Sequence, residues 1–266
     1  MTDRFGRKIT YLRISVTDRC NLRCRYCMPA AGVKLLPVQD IFSFEEILEV
    51  TRAAVDMGVV KVRLTGGEPL VRLDLVDLVR ELAAIDGIRD LAMTTNATLL
   101  AGKADALAAA GLHRVNISLD TMDAQRYREL TRGGNIQDAL DGLDAARVAG
   151  LLPIKLNCVV SDFSNADDVE SVRQFGRDHG IEVRTIRQMD FAAGRFSIVE
   201  GGSGGDCVHC NRLRLTSNGR IRPCLFSDIQ FDVRKLGASQ ALRQAVAAKP
   251  AAGGPCTHNW MSGIGG

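Results

Sequence analysis

Short strand-like runs alternate with longer helix-like patterns six times between residue 10 and about residue 188. The strand candidates are ITYLRIS, VVKVRLT, DLAMTTN, HRVNISL, PIKLNCVV and IEVRTIRQ. The segments between them carry apolar residues at helical spacing, as Leu75, Leu78, Val79 and Leu82 do. This alternation predicts an α/β fold, a parallel sheet curved into a partial (β/α)6 barrel. Ligands of such folds bind at the carboxyl ends of the strands.

The boundaries of several helices are marked by capping residues. Ser43 and Glu46 form a predicted capping box, and glycines follow four of the helical patterns: Gly58, Gly111, Gly150 and Gly180. The pattern changes after residue 190. We therefore predict a barrel over residues 1–190, a Gly-rich connection over 191–206, and a small C-terminal domain over 207–266 with a helix near 238–248.

Composition and charge narrow the classes of function. The net charge of +3 over 266 residues is too small to indicate a nucleic-acid-binding protein. Apolar runs stay well below the roughly 20 residues of a membrane span. The start, MTDRFGRKIT, does not resemble a signal peptide. We expect a cytoplasmic protein that binds neither nucleic acid nor membrane, so its eight cysteines predict metal ligands rather than disulfides.

Three cysteines follow the first predicted strand, in the stretch CNLRCRYCM. Cys20, Cys24 and Cys27 are spaced by four and three residues, and no histidine is near. A structural zinc ion takes four protein ligands, whereas three thiolates suit a 4Fe–4S cluster with one iron left open. Because thiolates bind both metals, the missing fourth ligand is what favours the cluster.

A second group of cysteines lies near the C-terminus, at Cys207, Cys210 and Cys224. Three ligands again favour an iron–sulfur cluster. A zinc site completed by His209 or Cys256 remains open as an alternative. Cys158, inside a predicted strand, is expected to be a buried core thiol.

Basic residues occur within the predicted strands, where apolar residues are the rule. The barrel strands carry Arg13, Lys61, Arg63, Lys155 and Arg184, and CNRLRLT places Arg212 and Arg214 on one face of a strand. Buried cations must be paired or must bind an anion. We expect them to converge with the first cysteines at one end of the barrel and to form a polyphosphate pocket. Solvated strand ends or internal salt bridges are the alternative.

The spacing CxxxCxxC after the first barrel strand resembles the signature of the radical S-adenosylmethionine (SAM) superfamily, including the aromatic Tyr26 before the last cysteine. The stretch GGEP, Gly66 to Pro69, is similar to the element with which such enzymes hold the methionine amino group. The resemblance implies that SAM binds the open iron. The candidate SAM contacts are Tyr26, Gly67, Glu68, Thr94, Ser118 and Met189; for Ser118 a capping role and for Met189 a core role are alternatives.

Longer stretches resemble the GTP 3′,8-cyclase (MoaA) family, which performs the first step of molybdenum-cofactor biosynthesis. They are FGRKITYLRISVTDRCNLRCRYCMP, KVRLTGGEPLVR, NISLDT and CNRLRLTSNGRIRPCLF, with a terminal Gly265–Gly266 pair. The similarity covers most of residues 4–189 and about 205–235. It implies a lyase with two 4Fe–4S clusters and SAM, which converts GTP to (8S)-3′,8-cyclo-7,8-dihydroguanosine 5′-triphosphate.

The resemblance also implies roles for individual residues. In the family, guanine ligates the open iron of the auxiliary cluster, here at Cys207, Cys210 and Cys224. The residues matching Lys61, Arg63, Lys155 and Arg184 hold the triphosphate or frame the cavity. The 5′-deoxyadenosyl radical removes the C3′ hydrogen, and the arginines matching Arg13, Arg212 and Arg214 and the pair Gly265–Gly266 are needed for turnover. An electron donor of flavodoxin or ferredoxin type is the expected partner, and a homodimer is one candidate oligomeric state.

The sequence departs from the family in two regions. Members usually carry several tens of additional residues between the equivalents of Met189 and Cys207, and here a short Gly-rich stretch stands instead. The tail after Phe231 is also short, and its Cys256, in PCTHNW, could close the second cluster, which would exclude guanine from it. A compact radical SAM enzyme that acts on another nucleotide or on a peptide is the alternative, and a non-catalytic nucleotide-binding or metal-storage protein is a third. The basic residues and the glycine pair favour GTP.

Overall fold

The computed structural model describes residues 1–257. Gly265 and Gly266, which the family resemblance implicates in turnover, lie outside the described residues. Within the described part of the chain, no helix is both long and apolar enough to span a membrane.

The described residues contain nine strands and eight α-helices. Strands β1 to β9 span Tyr11–Ser15, Lys61–Thr65, Asp90–Thr95, Arg114–Ser118, Lys155–Val160, Glu182–Arg187, Arg212–Leu215, Arg220–Arg222 and Phe231–Asp232. Helices α1 to α8 span Phe44–Asp56, Leu75–Ala83, Ala104–Ala109, Ala124–Thr131, Ile136–Val148, Ala166–His179, Val233–Leu236 and Ala238–Ala247. The six strands and six helices predicted before residue 190 are all present, and α8 is the helix predicted near residues 238–248.

The predicted helix caps are confirmed. The Ser43 hydroxyl accepts the Glu46 N–H at 3.2 Å, and the Glu46 carboxylate accepts the Ser43 N–H at 2.7 Å. Each of the four glycines expected to follow a helix has a positive φ: Gly58, Gly111, Gly150 and Gly180. These caps satisfy backbone groups that the helix ends leave unpaired.

All nine strands belong to one sheet, in the order β6-β5-β4-β3-β2-β1-β7-β8-β9. Strands β1 to β6 are parallel neighbours in chain order, and β7 pairs parallel with the other edge of β1. Strands β8 and β9 then add antiparallel. The sheet is open, as a partial barrel requires. The C-terminal strands extend the barrel sheet instead of forming a sheet of their own.

The two faces of this sheet differ sharply in polarity. Leu12, Ile14, Val62, Leu64 and Cys158 point to the helices and are 0% exposed, within one large apolar core. Cys158 is thus buried as expected. The opposite face, which we call the inner face, carries the alternate residues of the strands. Those residues are mostly polar, because strand side chains alternate between faces.

The Gly-rich connection, residues 191–206, lies between the strands at the open side of the barrel. Glu200 forms an antiparallel bridge with Thr185 of β6. The Arg212 guanidinium of β7 donates to the Ser203 carbonyl oxygen at 2.8 Å. The connection therefore reaches from β6 to β7 and contacts the Arg212 side chain on the inner face.

Candidate active site

The first cysteine loop follows β1 at the carboxyl edge of the sheet. The N–H groups of Cys27 and Met28 both donate to the Cys24 carbonyl oxygen, at 3.0 and 3.2 Å, and close a turn. Burial and the neighbouring Asp120 raise the pKa of Cys24 well above its usual value, and burial with the neighbouring Cys20 raises the pKa of Cys27 to about 12. Three thiols held together in this way become thiolates only against positive charge, which an iron–sulfur core supplies.

The GGEP turn packs against the backbone that leads into this loop. The Gly67 N–H donates to the Thr17 carbonyl oxygen at 2.9 Å, and the Glu68 N–H donates to that of Arg19 at 2.8 Å. A Cβ at Gly67 would lie 2.2 Å from the Arg19 oxygen, and one at Gly66 would lie 2.7 Å from the Thr17 oxygen. Both glycines are therefore required by the contact between the two backbones. A direct contact of Gly67 with SAM stays a prediction.

The Glu68 carboxylate points into the protein and is 1% exposed. It accepts the Thr95 hydroxyl at 2.7 Å, the Asn96 N–H at 2.7 Å and the Leu70 N–H at 3.1 Å. Burial raises the pKa of Glu68 to about 7. The carboxylate thus fixes the end of β3, where the Asn96 amide nitrogen lies 4.0 Å from the Cys20 sulfur. This geometry suits a positioning role; contact with SAM stays a prediction.

Asp120 is a site residue that the sequence analysis missed. Its buried carboxylate accepts the Val159 N–H at 2.8 Å and lies beside the Tyr26 side chain, with which it interacts electrostatically. Burial raises the pKa of Asp120 to about 6. Because Tyr26 precedes Cys27, Asp120 anchors the end of the cysteine loop to the sheet. The signal was present in NISLDT as an acidic residue two positions beyond the end of β4.

Three further predicted cofactor contacts lie near the carboxyl ends of strands. The Thr94 hydroxyl of β3 is buried and has no hydrogen-bond partner within residues 1–257. Ser118 ends β4 and pairs in register with Asn157. Met189 follows β6 and packs against a small apolar cluster that includes Phe191. An unpartnered buried hydroxyl fits a polar ligand beside β3. Met189 is half-buried and also lines a cavity with Gln188 and Arg195, and its contact with SAM stays a prediction.

Three arginines lie side by side across the inner face. Arg13 of β1 is in register with Arg63 of β2 on one side and with Arg214 of β7 on the other. Burial and repulsion between the guanidiniums lower the pKa of Arg13 well below its usual value and the pKa of Arg214 to about 10. The Nε atoms of Arg13 and Arg63 are buried without a hydrogen-bond partner among the described residues. A buried row of cations is favourable only when an anion balances its charge, so this row is a candidate anion-binding site.

A second row lies at the amino ends of the same strands. Tyr11 is in register with Lys61 on one side and with Arg212 on the other. Its hydroxyl is buried and has no hydrogen-bond partner within the described part of the chain. The two cations thus flank an unpartnered phenol, which was not recognised from the sequence because one tyrosine in a strand suggests only core packing.

Three of the basic residues are paired with carboxylates, as the salt-bridge alternative expected. Lys61 contacts Asp90 at 2.8 Å. Glu182 contacts both Lys155 and Arg184, the latter at 2.9 Å. These ion pairs hold the cations in place. They also reduce the positive charge that three of the five barrel cations can offer to a ligand.

The expectation that the basic residues and the first cysteines share one end of the barrel is wrong. Lys61, Lys155 and Arg212 begin their strands, at the amino edge, whereas Cys20 follows the carboxyl end of β1. The five residues of β1 span roughly 16 Å between these edges. The alternation of strand side chains determines the face of the sheet on which a side chain lies. The position of that side chain between the amino and carboxyl edges depends instead on where its strand begins.

The second group of cysteines lies at the amino edge. Cys207 and Cys210 precede β7, and Cys224 follows β8, whose direction is opposite. Burial raises the pKa of Cys210, but the Lys249 ammonium and Arg212 outweigh it and lower this pKa to about 7. The inner face therefore has one group of cysteines at each end.

The N-terminal segment supports this second group. The Arg7 guanidinium pairs with Asp3 at 2.6 Å and donates to the carbonyl oxygens of Cys207 at 2.7 Å and Pro250 at 2.6 Å. Arg7 is buried, so its charge is balanced by Asp3 and its remaining donors are used by the backbone. Sequence reasoning missed this contact, because Arg7 and Cys207 are 200 residues apart.

His209 and Cys256, the two candidates for a fourth ligand in the second group of cysteines, lie in different surroundings. The His209 ring is 80% exposed and contacts Asp206 at 2.8 Å. Cys256 is buried in the apolar cluster with Phe191 and Phe226, against which Cys224 also packs. Within residues 1–257, no three His, Cys, Asp or Glu side chains enclose a site for a single metal ion. A cubane cluster needs no such cage, since each thiolate binds a different iron.

Comparison with known proteins gives both the superfamily and the family. The profile of the Radical SAM superfamily matches residues 14–176. The SuiB structure from Streptococcus suis, bound to precursor peptide SuiA, superposes with a TM-score of 0.57 at 19% identity over 70% of this chain and 40% of that chain. The chain thus spans about two-fifths of SuiB. This likeness shows the fold.

Curated relatives match nearly the whole chain. The GTP 3′,8-cyclase of Moorella thermoacetica is 41% identical over 311 positions, which cover 99% of this chain and 96% of the relative. The GTP 3′,8-cyclase of Thermodesulfovibrio yellowstonii is 39% identical over 292 positions, which cover 92% of this chain and 91% of the relative. Because 311 positions exceed the 266 residues of this chain, at least 45 positions of the first alignment hold residues of the relative alone. The chain belongs to the GTP 3′,8-cyclase family of the Radical SAM superfamily.

Proposed function

We propose that this protein cyclises GTP between the ribose C3′ and the guanine C8 on the inner face of its sheet. The observation that carries the proposal is the row Arg63, Arg13 and Arg214, with two buried and unpartnered Nε atoms. The row lies between the two groups of cysteines, so it can bind a polyanion within reach of both ends.

The superfamily implies a 4Fe–4S cluster and SAM, and we assign the cluster to Cys20, Cys24 and Cys27. Held by these three thiolates, a reduced cluster would supply the electron for reductive cleavage of SAM, and the 5′-deoxyadenosyl radical so formed would accept a hydrogen atom from the substrate. The chain orients the thiolates through the GGEP turn and through Asp120, and residues 201 and 203 of the connection contact the inner-face arginines Arg184 and Arg212. We assign the SAM contacts to Tyr26, Gly67, Glu68, Thr94, Ser118 and Met189.

The substrate is held by cations that the fold cannot neutralise by itself. Arg13 and Arg63 form no ion pair within residues 1–257, so a triphosphate can supply the missing charge. Lys61, Lys155 and Arg184 frame the amino end of the pocket, already oriented by Asp90 and Glu182. In this arrangement the phosphates lie near the amino edge and the ribose faces the SAM site.

We further assign a second 4Fe–4S cluster to Cys207, Cys210 and Cys224, with guanine as the ligand of its open iron. The donor set supports this assignment, because Arg212, Arg214 and Lys249 surround the thiols with positive charge. We retain residues 1–190 as the barrel unit, 191–206 as the connection and 207–266 as the cluster unit, although their strands share one sheet. Arg212 and Arg214, with Gly265 and Gly266 from the tail, remain the proposed catalytic group alongside Arg13.

The first cluster works only when it is reduced, so the reaction needs an electron donor, which we propose to be of flavodoxin or ferredoxin type. A homodimer and a cytoplasmic location remain predictions.

The test is an anaerobic assay of the reconstituted protein with reductant and SAM. We expect 5′-deoxyadenosine together with a 3′,8-cyclised nucleotide when GTP is added, detected by mass spectrometry. A Cys20→Ala variant should form neither product, and a Cys224→Ala variant should form no cyclised nucleotide. Formation of 5′-deoxyadenosine with GTP left unchanged would contradict the proposed substrate and would favour another nucleotide or a peptide.

A further inference from the structure

The ammonium group of Lys249 is buried beside the second group of cysteines. Lys249 follows α8 and is 1% exposed. Its Nζ donates to the carbonyl oxygens of Arg212 and Pro223, both at 2.7 Å. The same ammonium group lies close enough to the Cys210 thiol to be the largest favourable influence on the pKa of that thiol.

Burial of this cation needs more compensation than two carbonyl oxygens provide. Removing an ammonium group from water is strongly unfavourable when no counter-charge is present. Within residues 1–257, no carboxylate forms an ion pair with Lys249; the attractive charges around it are the sulfurs of Cys210 and Cys224. The fold thus places a fixed positive charge against thiolates.

The contacts of Lys249 also fix the backbone around the cysteines. Arg212 is two residues beyond Cys210, and Pro223 directly precedes Cys224. One ammonium group therefore joins the two chain segments that carry these thiols. Next along the chain, the Pro250 carbonyl oxygen accepts from Arg7, which also holds Cys207.

We propose that Lys249 is a positioning residue for the second iron–sulfur cluster and raises its reduction potential. The inference rests on the proposed assignment of that cluster to Cys207, Cys210 and Cys224. Reduction adds negative charge to a cluster, and a cation held beside two of the ligand sulfurs stabilises the reduced form. The effect is strong here because Lys249 is shielded from solvent.

The test uses the full-length chain with Cys20, Cys24 and Cys27 all replaced by alanine, so that one cluster is observed by itself. The parent protein and its Lys249→Met variant are reconstituted anaerobically, analysed for iron, and titrated with EPR detection. We expect Lys249→Met to lower the ratio of reduced to oxidised cluster at least tenfold at a fixed potential. For a one-electron couple this corresponds to a shift of about 59 mV to lower potential.

Two further variants separate charge from structure. Lys249→Gln retains hydrogen-bond donors without the charge, so we expect more iron than in Lys249→Met but a similarly lowered potential. Lys235→Met removes the same charge from an exposed position on α7 and should leave the potential at the parent value. If Lys249→Met fails to fold, the reduction potential of Lys249→Gln compared with that of the parent protein tests the inference.

Unchanged potentials in the loaded Lys249 variants would overturn the inference. A parent protein that binds no iron after reconstitution would instead refute the second cluster itself, and the inference with it. The two outcomes can be distinguished, because the absence of iron is seen in the parent protein, whereas unchanged potentials are seen only in the Lys249 variants.

Discussion

Replacing Gly67 by alanine tests whether the GGEP turn holds the first cysteine loop by backbone contact. A Cβ at this position would lie 2.2 Å from the Arg19 carbonyl oxygen and 2.6 Å from the Arg19 carbonyl carbon. Neither atom belongs to a flexible side chain, so the two backbones must separate. The hydrogen bonds from Gly67 to Thr17 and from Glu68 to Arg19 are then weakened or lost.

The magnitude follows from these contacts. Overpacking against backbone typically destabilises a protein by about 1–3 kcal/mol, and each hydrogen bond contributes about 1 kcal/mol. We expect Gly67→Ala to lower the free energy of unfolding by about 3–5 kcal/mol, or to move the cysteine loop away from the turn. Iron content after reconstitution should fall by about one 4Fe–4S cluster per chain, because Cys20 is next to Arg19.

The measurement combines denaturant unfolding with iron analysis and EPR of each cluster. Gly102→Ala is the matched control, since a Cβ there would meet no atom within 4 Å; its stability should change by less than about 0.5 kcal/mol. If Gly67→Ala showed the stability and first-cluster occupancy of the wild type, the steric reasoning would be refuted.

Three other substitutions and a control probe the electrostatics of the site. In iron-free protein, the raised pKa of Asp120, about 6 against a usual value of 3.8, disfavours its ionised form in the fold. As the pH rises from about 4 to 6, the unfolding free energy of the wild type should therefore fall relative to that of Asp120→Asn, and the loss should approach about 3 kcal/mol. If chemical denaturation showed the same pH dependence of stability for both proteins, this prediction would be contradicted. Glu182→Gln removes the carboxylate shared by Lys155 and Arg184, and GTP should bind roughly threefold to tenfold more tightly by calorimetry. Arg63→Met should weaken GTP binding, and Glu170→Gln on the exposed face of α6 should change nothing; equal affinities for all four proteins would contradict a role for these charges.

Much of the fold could be predicted because local signals agree with one another. The apolar residues of each helix, the capping box at Ser43 and the glycines after the helices all indicated the same boundaries. The inner face could also be recognised, since Arg13, Arg63 and Arg214 are polar exceptions at alternate strand positions. Their adjacency follows from the strand register, which the sequence does not specify.

The remaining parts of the site depend on contacts between distant segments. Whether Lys61 binds an anion or Asp90 depends on the register of β2 and β3. Lys249 reaches Cys210 because α8 packs against β8 and β9 and ends beside the amino edge of β7. A lysine after a helix is usually exposed, and nothing in the local sequence distinguishes this one.

The position of the C-terminal segment shows the same limit. The sequence predicts a cysteine-bearing C-terminal domain after a Gly-rich connection but does not show how it joins the barrel. In the structure, Leu213 and Leu215 pair with β1 and join the main apolar core. Since both sides of β1 were potential partners, only tertiary packing decides that β7 occupies the free edge.

The most direct test of the proposed reaction follows the hydrogen atom that leaves the substrate. Reconstituted protein is incubated anaerobically with reductant, SAM and GTP deuterated at the ribose C3′, and both products are analysed by mass spectrometry. Binding of the triphosphate near the amino edge, with the ribose facing the SAM site, predicts deuterium in 5′-deoxyadenosine and a cyclised nucleotide that has lost it. Unlabelled 5′-deoxyadenosine with fully deuterated GTP remaining would contradict the proposed reaction.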